Sequence, residues 1–256
     1  MILITRPLNE ARLLAKELKT FSMPIIIEPL TSFKYYKKKT IFHEKKIFIV
    51  SSLQSARALR IYKKNYRSII SKGKFLVVGM KVATELKSLG VKKIIKQFNT
   101  SEHLLKYLSQ SKFFQYEIEY LCGSIVNQHF INGLKNCGID YKKIVVYKTI
   151  PKQQLSQKCL SVLKGKKVKL VLIYSAYTAK LFSNLLRCNN LNNALSNTYV
   201  ACLSERIANT FDSRISFAGI CWSKSANQDS LLLKVQSMLK LLNKSSSRKA
   251  CFLAKL

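Results

Sequence analysis

The chain has 256 residues, enough for one large domain or for two domains of common size that each bury a core. Lys and Arg number 45 against 12 Asp and Glu, so the net charge of +33 excludes an acidic surface and predicts anionic partners. Much of this excess is Lys in short runs such as YYKKK and KGKKVK, which are equally well interpreted as a solvated surface.

The cysteines and histidines argue against a disulfide framework and against a metal site. The seven cysteines are odd in number, scattered and without a CxxC, which favours a reducing cytoplasm. The three histidines lack metal-ligand spacing, so neither a metal site nor a Cys/His nucleophile is predicted. Because no apolar run reaches about 18 residues and ILITR enters a strand directly, we expect neither a membrane span nor a signal peptide.

Strand-like runs alternate with helical patterns from the first residues onward. ILIT is followed by LNEARLLAKELK and PIIIEPL, KKIFIVSS by LQSARALRIYKK, and KFLVVGM by KVATELKSLG. This alternation predicts an α/β fold with parallel sheets and crossover helices. Continuous Val/Ile-rich runs such as IFIV and LVLI are typical of strands that are covered on both faces.

An internal repeat indicates how these layers are divided. FIVSSLQSARAL resembles VLIYSAYTAKLF, and FLVVGMKVATEL resembles YVACLSERIANTF, both at an offset of 124 residues. NTSEHLLKYL and ANQDSLLLKV form a third pair at an offset of 127, and ILITRPLNEARLLAKEL pairs with IEYLCGSIVNQHFINGL. Such order predicts two similar α/β domains of the same construction.

The order of the repeats predicts that one domain is discontinuous. The N-terminal strand and helix precede the first repeat, while their counterpart precedes the second, so the chain completes one domain after it has built the other. The predicted first domain comprises residues 1–32 and 153–256, and the second comprises residues 38–146. Residues 33–37 and 147–152 are the predicted interdomain linkers.

Several of these motifs together resemble the uroporphyrinogen-III synthase family. They are ILITRP near the start, the VSS and YSA strand-to-helix turns, the VVG turn, and VVYKTIP before the second crossing. Each motif is common by itself, but their order spans nearly the whole chain. The resemblance implies two flavodoxin-like three-layer domains with parallel sheets, joined by a two-stranded linker ladder, with substrate in the cleft between them.

The same resemblance implies an activity. Enzymes of this family are cyclising hydro-lyases of heme biosynthesis that act on hydroxymethylbilane, a linear octacarboxylate tetrapyrrole. They eliminate its hydroxyl, invert ring D through a spiro intermediate and close the macrocycle to uroporphyrinogen III. The expectation is therefore a cytoplasmic monomer with no metal or organic cofactor, no nucleic-acid partner and no membrane partner.

Tyr147 lies in IVVYKTIP, a strand-like run that is closed by a proline. Its phenol has an ordinary pKa near 10, so it is neutral at pH 7 and able to donate a proton. The resemblance implies that Tyr147 assists departure of the hydroxyl. The alternative is an aromatic side chain that packs against a crossing strand.

Candidate substrate-binding residues follow the strand-like runs. In open α/β sheets, helix N-termini beyond the carboxyl ends of strands present N–H groups to anions. The alternatives are ordinary helix N-caps for Ser and Thr, turn geometry for Gly, and a solvated strand-end charge for Arg. The candidates are Arg6, Ser51, Ser52, Gly79, Gly123, Ser175, Thr178 and Ser204.

One turn departs from the family pattern. Where the family has Gly-Pro-x-Thr-Ala, this chain has Leu203-Ser204-Glu205-Arg206, and Val82 stands where a threonine is common. Ser204 could replace a lost hydroxyl, but Glu205 would repel a carboxylate. A catalytically impaired, two-domain small-molecule-binding homologue therefore remains an alternative. A basic nucleic-acid-binding protein is a second, supported only by the net charge.

Overall fold

The computed structural model describes residues 1–38, 41, 43–110, 113–225 and 227–245. Its strands are β1 (Ile2–Ile4), β2 (Ile25–Ile27), β3 (Thr31–Tyr35), β4 (Lys46–Val50), β5 (Lys74–Val78), β6 (Lys93–Phe98), β7 (Glu117–Gly123), β8 (Tyr141–Pro151), β9 (Leu170–Ile173), β10 (Tyr199–Cys202) and β11 (Gly219–Trp222). Its α-helices are α1 (Leu8–Glu17), α2 (Leu53–Ile61), α3 (Arg67–Lys72), α4 (Met80–Leu89), α5 (Ser101–Leu108), α6 (Gln128–Asn136), α7 (Gln157–Lys164), α8 (Ala176–Cys188), α9 (Glu205–Ala208) and α10 (Gln228–Ser245).

The chain divides into two compact units. The first unit contains Met1–Ser32 and the residues from Pro151 onward, and the second unit contains Phe33–Ile150. The chain therefore passes from one unit to the other twice, within β3 and within β8. The residues predicted as linkers, 33–37 and 147–152, lie largely in these two strands, which are neighbours in one sheet.

The first unit contains a five-stranded sheet with the order β2-β1-β9-β10-β11. All four neighbouring pairs are parallel. Numbered along the unit, the order is 2-1-3-4-5, which is the flavodoxin-like arrangement. Helices α7, α8 and α9 contribute to the apolar core on one face of this sheet, and α1 and α10 contribute to the core on the other.

The second unit contains a six-stranded sheet with the order β3-β8-β7-β4-β5-β6. The pairs from β8 to β6 are parallel. Helices α2, α3 and α4 pack on one face, and α5 and α6 on the other. This unit is likewise three-layered, with β3 as an additional edge strand.

The topology confirms the interpretation of the repeats. The repeat pairs match β7 with β1, β4 with β9, and β5 with β10, and the third pair matches α5 with α10. Once these strands are matched, the order β8-β7-β4-β5-β6 is the same as β2-β1-β9-β10-β11. The second unit is thus a circularly permuted version of the first. The α/β class with two predominantly parallel sheets is confirmed.

Local sequence explains why these elements form. β4 and β9 are buried along their whole length, as expected for Val/Ile-rich strands with helices on both faces. Several helices begin at a residue whose side-chain oxygen accepts a hydrogen bond from a first-turn amide, which satisfies a donor that the helix leaves unpaired. These N-caps are Ser52, Thr100, Asn127, Ser156 and Ser175. None of the helices in the described part of the chain is both long and apolar enough to cross a bilayer.

Candidate active site

Most of the nine predicted site residues lie at the carboxyl ends of the parallel strands or in the first turn of the helix that follows. Tyr147 lies within β8 and faces the carboxyl end of β7. This is the edge at which open α/β sheets bind ligands. In the second unit they are Ser51, Ser52, Gly79, Gly123 and Tyr147, and in the first unit they are Arg6, Ser175, Thr178 and Ser204. Each unit therefore carries its own group of candidates.

Ser52, Gly123 and Tyr147 are brought together in the second unit. Tyr147 lies in the interior of β8 and pairs across the sheet with Gly123, the last residue of β7. Its hydroxyl lies 3.0 Å from the Ser52 Oγ. Ser52 in turn begins α2, where its Oγ accepts a hydrogen bond from the Gln54 N–H at 3.2 Å. The N-cap interpretation of Ser52 is correct, and the same hydroxyl also contacts Tyr147.

Aromatic side chains enclose the Tyr147 ring. Phe33 forms a T-shaped pair with it at 5.7 Å between ring centroids, and the Tyr35 ring lies at 6.5 Å. The Tyr35 hydroxyl donates a hydrogen bond to the Gln54 Oε1 at 2.5 Å. Only 9% of Tyr147 is exposed, so the packing interpretation also holds for its ring. The hydroxyl is held by Ser52 at the sheet edge.

Burial keeps the Tyr147 phenol protonated. It raises the pKa of Tyr147 above its ordinary value of 10, and the hydrogen bond with Ser52 offsets part of that increase. Either hydroxyl of the pair can donate. When Ser52 donates to the phenol oxygen and accepts from Gln54, the phenol proton is left for a ligand. A neutral phenol in this arrangement can act as a general acid.

Ser51 is held by a different tyrosine on the opposite face of the sheet. Its Oγ lies 2.8 Å from the hydroxyl of Tyr120, whose ring packs edge-on against Phe130. Burial raises the pKa of Tyr120 to about 12, so this phenol stays protonated throughout the physiological range, and either hydroxyl of the pair can donate. Ser51 is therefore fixed by β7, not by α2.

Gly79 follows β5 and precedes α4, with a φ of 93° that side-chain-bearing residues rarely adopt. Its N–H donates to the Phe98 carbonyl oxygen at 2.8 Å. A Cβ at this position would meet only Val82, at 3.8 Å. Turn geometry therefore explains Gly79, and the space in front of it is open.

Arg6 is half-buried in the first unit. Its Nη1 donates to the Gln228 Oε1 at 2.7 Å, and its guanidinium carbon lies 4.2 Å from the centroid of the Tyr174 ring. Gln228 is itself held by Glu17, to which its Nε2 donates at 2.7 Å. Burial raises the pKa of Tyr174 to about 12, and the Arg6 charge acts in the opposite direction. The guanidinium is thus pre-oriented at the carboxyl edge of the first sheet.

Ser175 and Thr178 form a pair at the start of α8. The Ser175 Oγ accepts from the Thr178 N–H at 3.1 Å and lies 2.7 Å from the Thr178 Oγ1. Both residues therefore serve as helix-start structure. The N-terminus of this 13-residue helix also carries a favourable dipole for a carboxylate.

Ser204 precedes α9 but makes no side-chain capping bond to it. Glu205 and Arg206, in the first turn of α9, are both exposed. The turn at residues 203–206 therefore presents two opposite charges to solvent, beside the half-buried Ser204. No contact brings Ser204 together with Arg6 or Ser175 in the described residues.

Sequence reasoning missed residues that act through the predicted ones. Tyr120 and Gln54 hold or flank the two serines, while Tyr174 and Gln228 orient Arg6. Gln228 lies 222 residues from Arg6 in the chain, so no local pattern could have paired them. Within the described ranges, no group of three His, Cys, Asp or Glu is placed to hold a metal ion.

A comparison of the sequence with models of protein families shows which family the chain belongs to. The family model of uroporphyrinogen-III synthase HemD matches residues 14–232, which is most of the chain. The chain belongs to the uroporphyrinogen-III synthase family. No curated protein sequence matched the chain.

Solved structures of uroporphyrinogen-III synthases share the fold. The chain is similar to the crystal structure of uroporphyrinogen-III synthetase from Helicobacter pylori, with 16% identity, a TM-score of 0.64, and coverage of 93% of this chain and 98% of that one. It is also similar to a mutant uroporphyrinogen III synthase from the extremely thermophilic bacterium Thermus thermophilus, with 13% identity, a TM-score of 0.58, and coverage of 94% and 98%. At these identities the likeness concerns the fold.

Proposed function

We propose that this member of the uroporphyrinogen-III synthase family is an active synthase that converts hydroxymethylbilane to uroporphyrinogen III. The observation that carries the proposal is the buried, neutral Tyr147 phenol, held by Ser52 at the ligand-binding edge of a sheet. We further propose that it acts as a cytoplasmic monomer in heme biosynthesis, without a metal or organic cofactor and without nucleic acid.

The chemistry requires help for a poor leaving group. When the hydroxymethyl C–O bond breaks, the phenol proton of Tyr147 passes to the departing oxygen, which leaves as water. The pyrrole nitrogen lone pair supplies the electrons, so an azafulvenium cation that keeps its N–H remains beside the Tyr147 phenolate. Ring D then inverts through the spiro intermediate, and the proton released when the macrocycle closes restores the phenol. Because the pyrrole itself drives the elimination, the phenol supplies only part of the rate.

Binding of eight carboxylates falls to other groups. Arg6 supplies a pre-oriented cation, and the N-termini of α2 and α8 supply backbone donors beside Ser52 and Ser175. The open space in front of Gly79 allows a ligand to approach the backbone. Positioning of the two ends of the linear substrate is expected to contribute most of the catalysis.

The isomer ratio of the product tests this function. Purified protein given hydroxymethylbilane should produce type III uroporphyrinogen above the type I background that forms spontaneously, as measured by chromatography of the oxidised products. Tyr147→Phe should retain the fold and lower kcat roughly tenfold, which corresponds to an increase of about 1.4 kcal/mol in the activation free energy. Tyr116→Phe is a matched control, since Tyr116 precedes the amino end of β7. If the wild-type protein left the isomer ratio at its spontaneous value, the proposed synthase activity would be refuted.

A catalytically impaired binding homologue is the second candidate, favoured by the turn at Ser204. Exposed Glu205 at the start of α9 places a negative charge beside a predicted carboxylate contact. This candidate predicts that the protein binds hydroxymethylbilane but leaves the product ratio at the spontaneous value. Equilibrium binding measured beside the isomer assay separates the two.

Ser175 separates helix capping from substrate binding. Ser175→Ala should cost about 1 kcal/mol of stability, because the cap to Thr178 is lost. Ser175→Asp retains an equally good cap but adds a negative charge, so stability should be kept while KM rises if a substrate carboxylate lies there. Thermal unfolding and steady-state kinetics measure the two effects independently. An unchanged KM for Ser175→Asp would remove this helix start from the binding site.

A further inference from the structure

We infer that Gly123 is a positioning residue for Tyr147: its lack of a side chain lets the tyrosine ring lie against the backbone of β7, with its hydroxyl beside Ser52. Gly123 was predicted from the sequence as a substrate contact. The geometry assigns it a different role, which acts through the phenol. The catalytic consequence rests on the proposed function, but the structural part does not.

The tyrosine ring fills the space that a side chain at Gly123 would need. A Cβ built on Gly123 would lie 2.5 Å from the Tyr147 Cζ, 2.7 Å from its Cε2 and 2.8 Å from its hydroxyl oxygen. Such separations are well inside van der Waals contact. The atoms in conflict are those at the reactive end of the phenol.

Backbone conformation does not explain this glycine. The glycines with positive φ are Gly79, Gly90 and Gly138, and Gly123 is not among them. Alanine can therefore adopt the local backbone without strain. The requirement at this position is the close approach of the ring.

The ring has little freedom to move aside. The register between β7 and β8 shifts between Cys122 and Gly123, and this shift places Gly123 opposite Tyr147. The Tyr147 carbonyl oxygen accepts a hydrogen bond from the Ser124 N–H at 2.9 Å, so its backbone is anchored to the segment after β7. Phe33 packs against the ring in a T-shaped pair, with 5.7 Å between the ring centroids. An added methyl group must therefore displace the phenol from Ser52. Ser52 cannot follow the phenol, because its Oγ is held by the hydrogen bond from the Gln54 N–H.

Gly123→Ala is expected to lower kcat about as much as Tyr147→Phe does, roughly tenfold, while KM changes less than about twofold. The combined Gly123→Ala, Tyr147→Phe variant should lose little more than either single variant, because both changes remove the same hydroxyl. Gly219→Ala is the control: its Cβ would also meet a tyrosine ring, that of Tyr199 at 3.1 Å, away from the predicted site residues. It should leave kcat unchanged.

A spectroscopic readout tests the placement without any activity. Tyrosine labelled with ¹³C at Cζ gives one resonance for Tyr147, assigned by its absence in Tyr147→Phe. In the wild-type protein this resonance should titrate above pH 10, and in Gly123→Ala its chemical shift and its titration midpoint should both change, because the displaced phenol loses the Ser52 hydrogen bond and part of its burial. A wild-type resonance and titration in Gly123→Ala would overturn the inference.

A stability comparison shows whether the ring is the cause. Gly123→Ala should lower Tm by roughly 5 °C in the wild-type background and by less than about 1 °C in a Tyr147→Ala background, where the ring is gone. An equal decrease in both backgrounds would overturn the inference, since the backbone and not the ring would then be responsible. If the wild-type protein forms no type III isomer, the proposed function fails, yet the resonance and the Tm comparison still decide the role of Gly123.

Discussion

Glu119→Ala is expected to destabilise the second unit by about 3–5 kcal/mol. Glu119 of β7 and Lys46 of β4 form an ion pair of 2.7 Å between side chains that are only 4% and 8% exposed. The Lys46 Nζ also donates to the Ile41 carbonyl oxygen at 2.9 Å. Removal of the carboxylate leaves a buried ammonium group with too few partners. Urea unfolding, with hydrogen exchange of the β4 and β7 amides, measures the loss.

A second variant distinguishes the unpaired charge from the loss of packing. Replacing both partners, Lys46→Met with Glu119→Leu, should recover most of the stability, because no isolated charge then remains in the interior. Glu85→Ala is the matched control in the same unit. It breaks a 2.6 Å pair with Arg60, whose side chain is 46% exposed, and should cost less than about 1 kcal/mol. A Glu119→Ala loss as small as that of Glu85→Ala would contradict the prediction.

The strand and helix pattern could be predicted because it is written in local hydrophobic periodicity. β4 and β9 are continuous apolar runs, and the second residue after each is the serine that caps the following amphipathic helix. Parallel strands with intervening helices follow from that alternation. The repeat supplied the second step, since equivalent segments must occupy equivalent places in two sheets, and both sheets show the same order of matched strands.

The edge on which the candidate site lies could be predicted for the same reason. Residues that follow apolar runs in a parallel sheet collect at one edge, and Ser51, Ser52, Gly79 and Gly123 all follow such runs. Which of them touch Tyr147 could not be predicted. That depends on the register of β7 against β8, and a shift at Cys122 moves this register by one residue. Substrate binding by these residues stays a prediction.

Hydrogen bonds between residues that are distant in the chain could not be predicted from the sequence. No pattern in the sequence marks Tyr120, yet its hydroxyl holds Ser51. Gly123 is predicted from the sequence as a substrate contact, with turn geometry as the alternative, and neither predicts that the Tyr147 ring occupies the space its missing side chain leaves. Such contacts depend on side-chain directions across neighbouring strands, which periodicity does not determine.

Glu28 shows the same limit and leads to a second large effect. Glu28 follows β2 and is almost fully buried, and its carboxylate accepts hydrogen bonds from Ser156, 128 residues later in the chain. The Ser156 N–H and Oγ donate at 2.9 and 2.6 Å, and the Lys152 Nζ lies 2.7 Å away. Beside them, the Lys152 N–H donates to the Leu30 carbonyl oxygen at 2.8 Å. Glu28 therefore ties together the two chain segments where they leave the first unit.

Glu28→Ala is expected to lower the stability of the first unit by about 2–4 kcal/mol, because it removes three charge-assisted contacts; the lower bound reflects the partial exposure of Lys152. Glu28→Gln keeps an acceptor for the Ser156 N–H and should cost about 1–2 kcal/mol. Lys152→Met should cost a similar amount, since the carboxylate retains both Ser156 bonds and the N-terminus of α7.

The fluorescence of Trp222 reports on the first unit, because Trp222 is the one tryptophan in the sequence and lies in β11. Urea unfolding followed at this residue should therefore give the lowest free energy of unfolding for Glu28→Ala. Glu28→Gln and Lys152→Met should be intermediate, and the wild-type protein should be the most stable. If Lys152→Met were as damaging as Glu28→Ala, the cation and not the Ser156 cap would be the main partner of Glu28. If Glu28→Ala cost less than about 1 kcal/mol, the carboxylate would contribute no more than an exposed ion pair does.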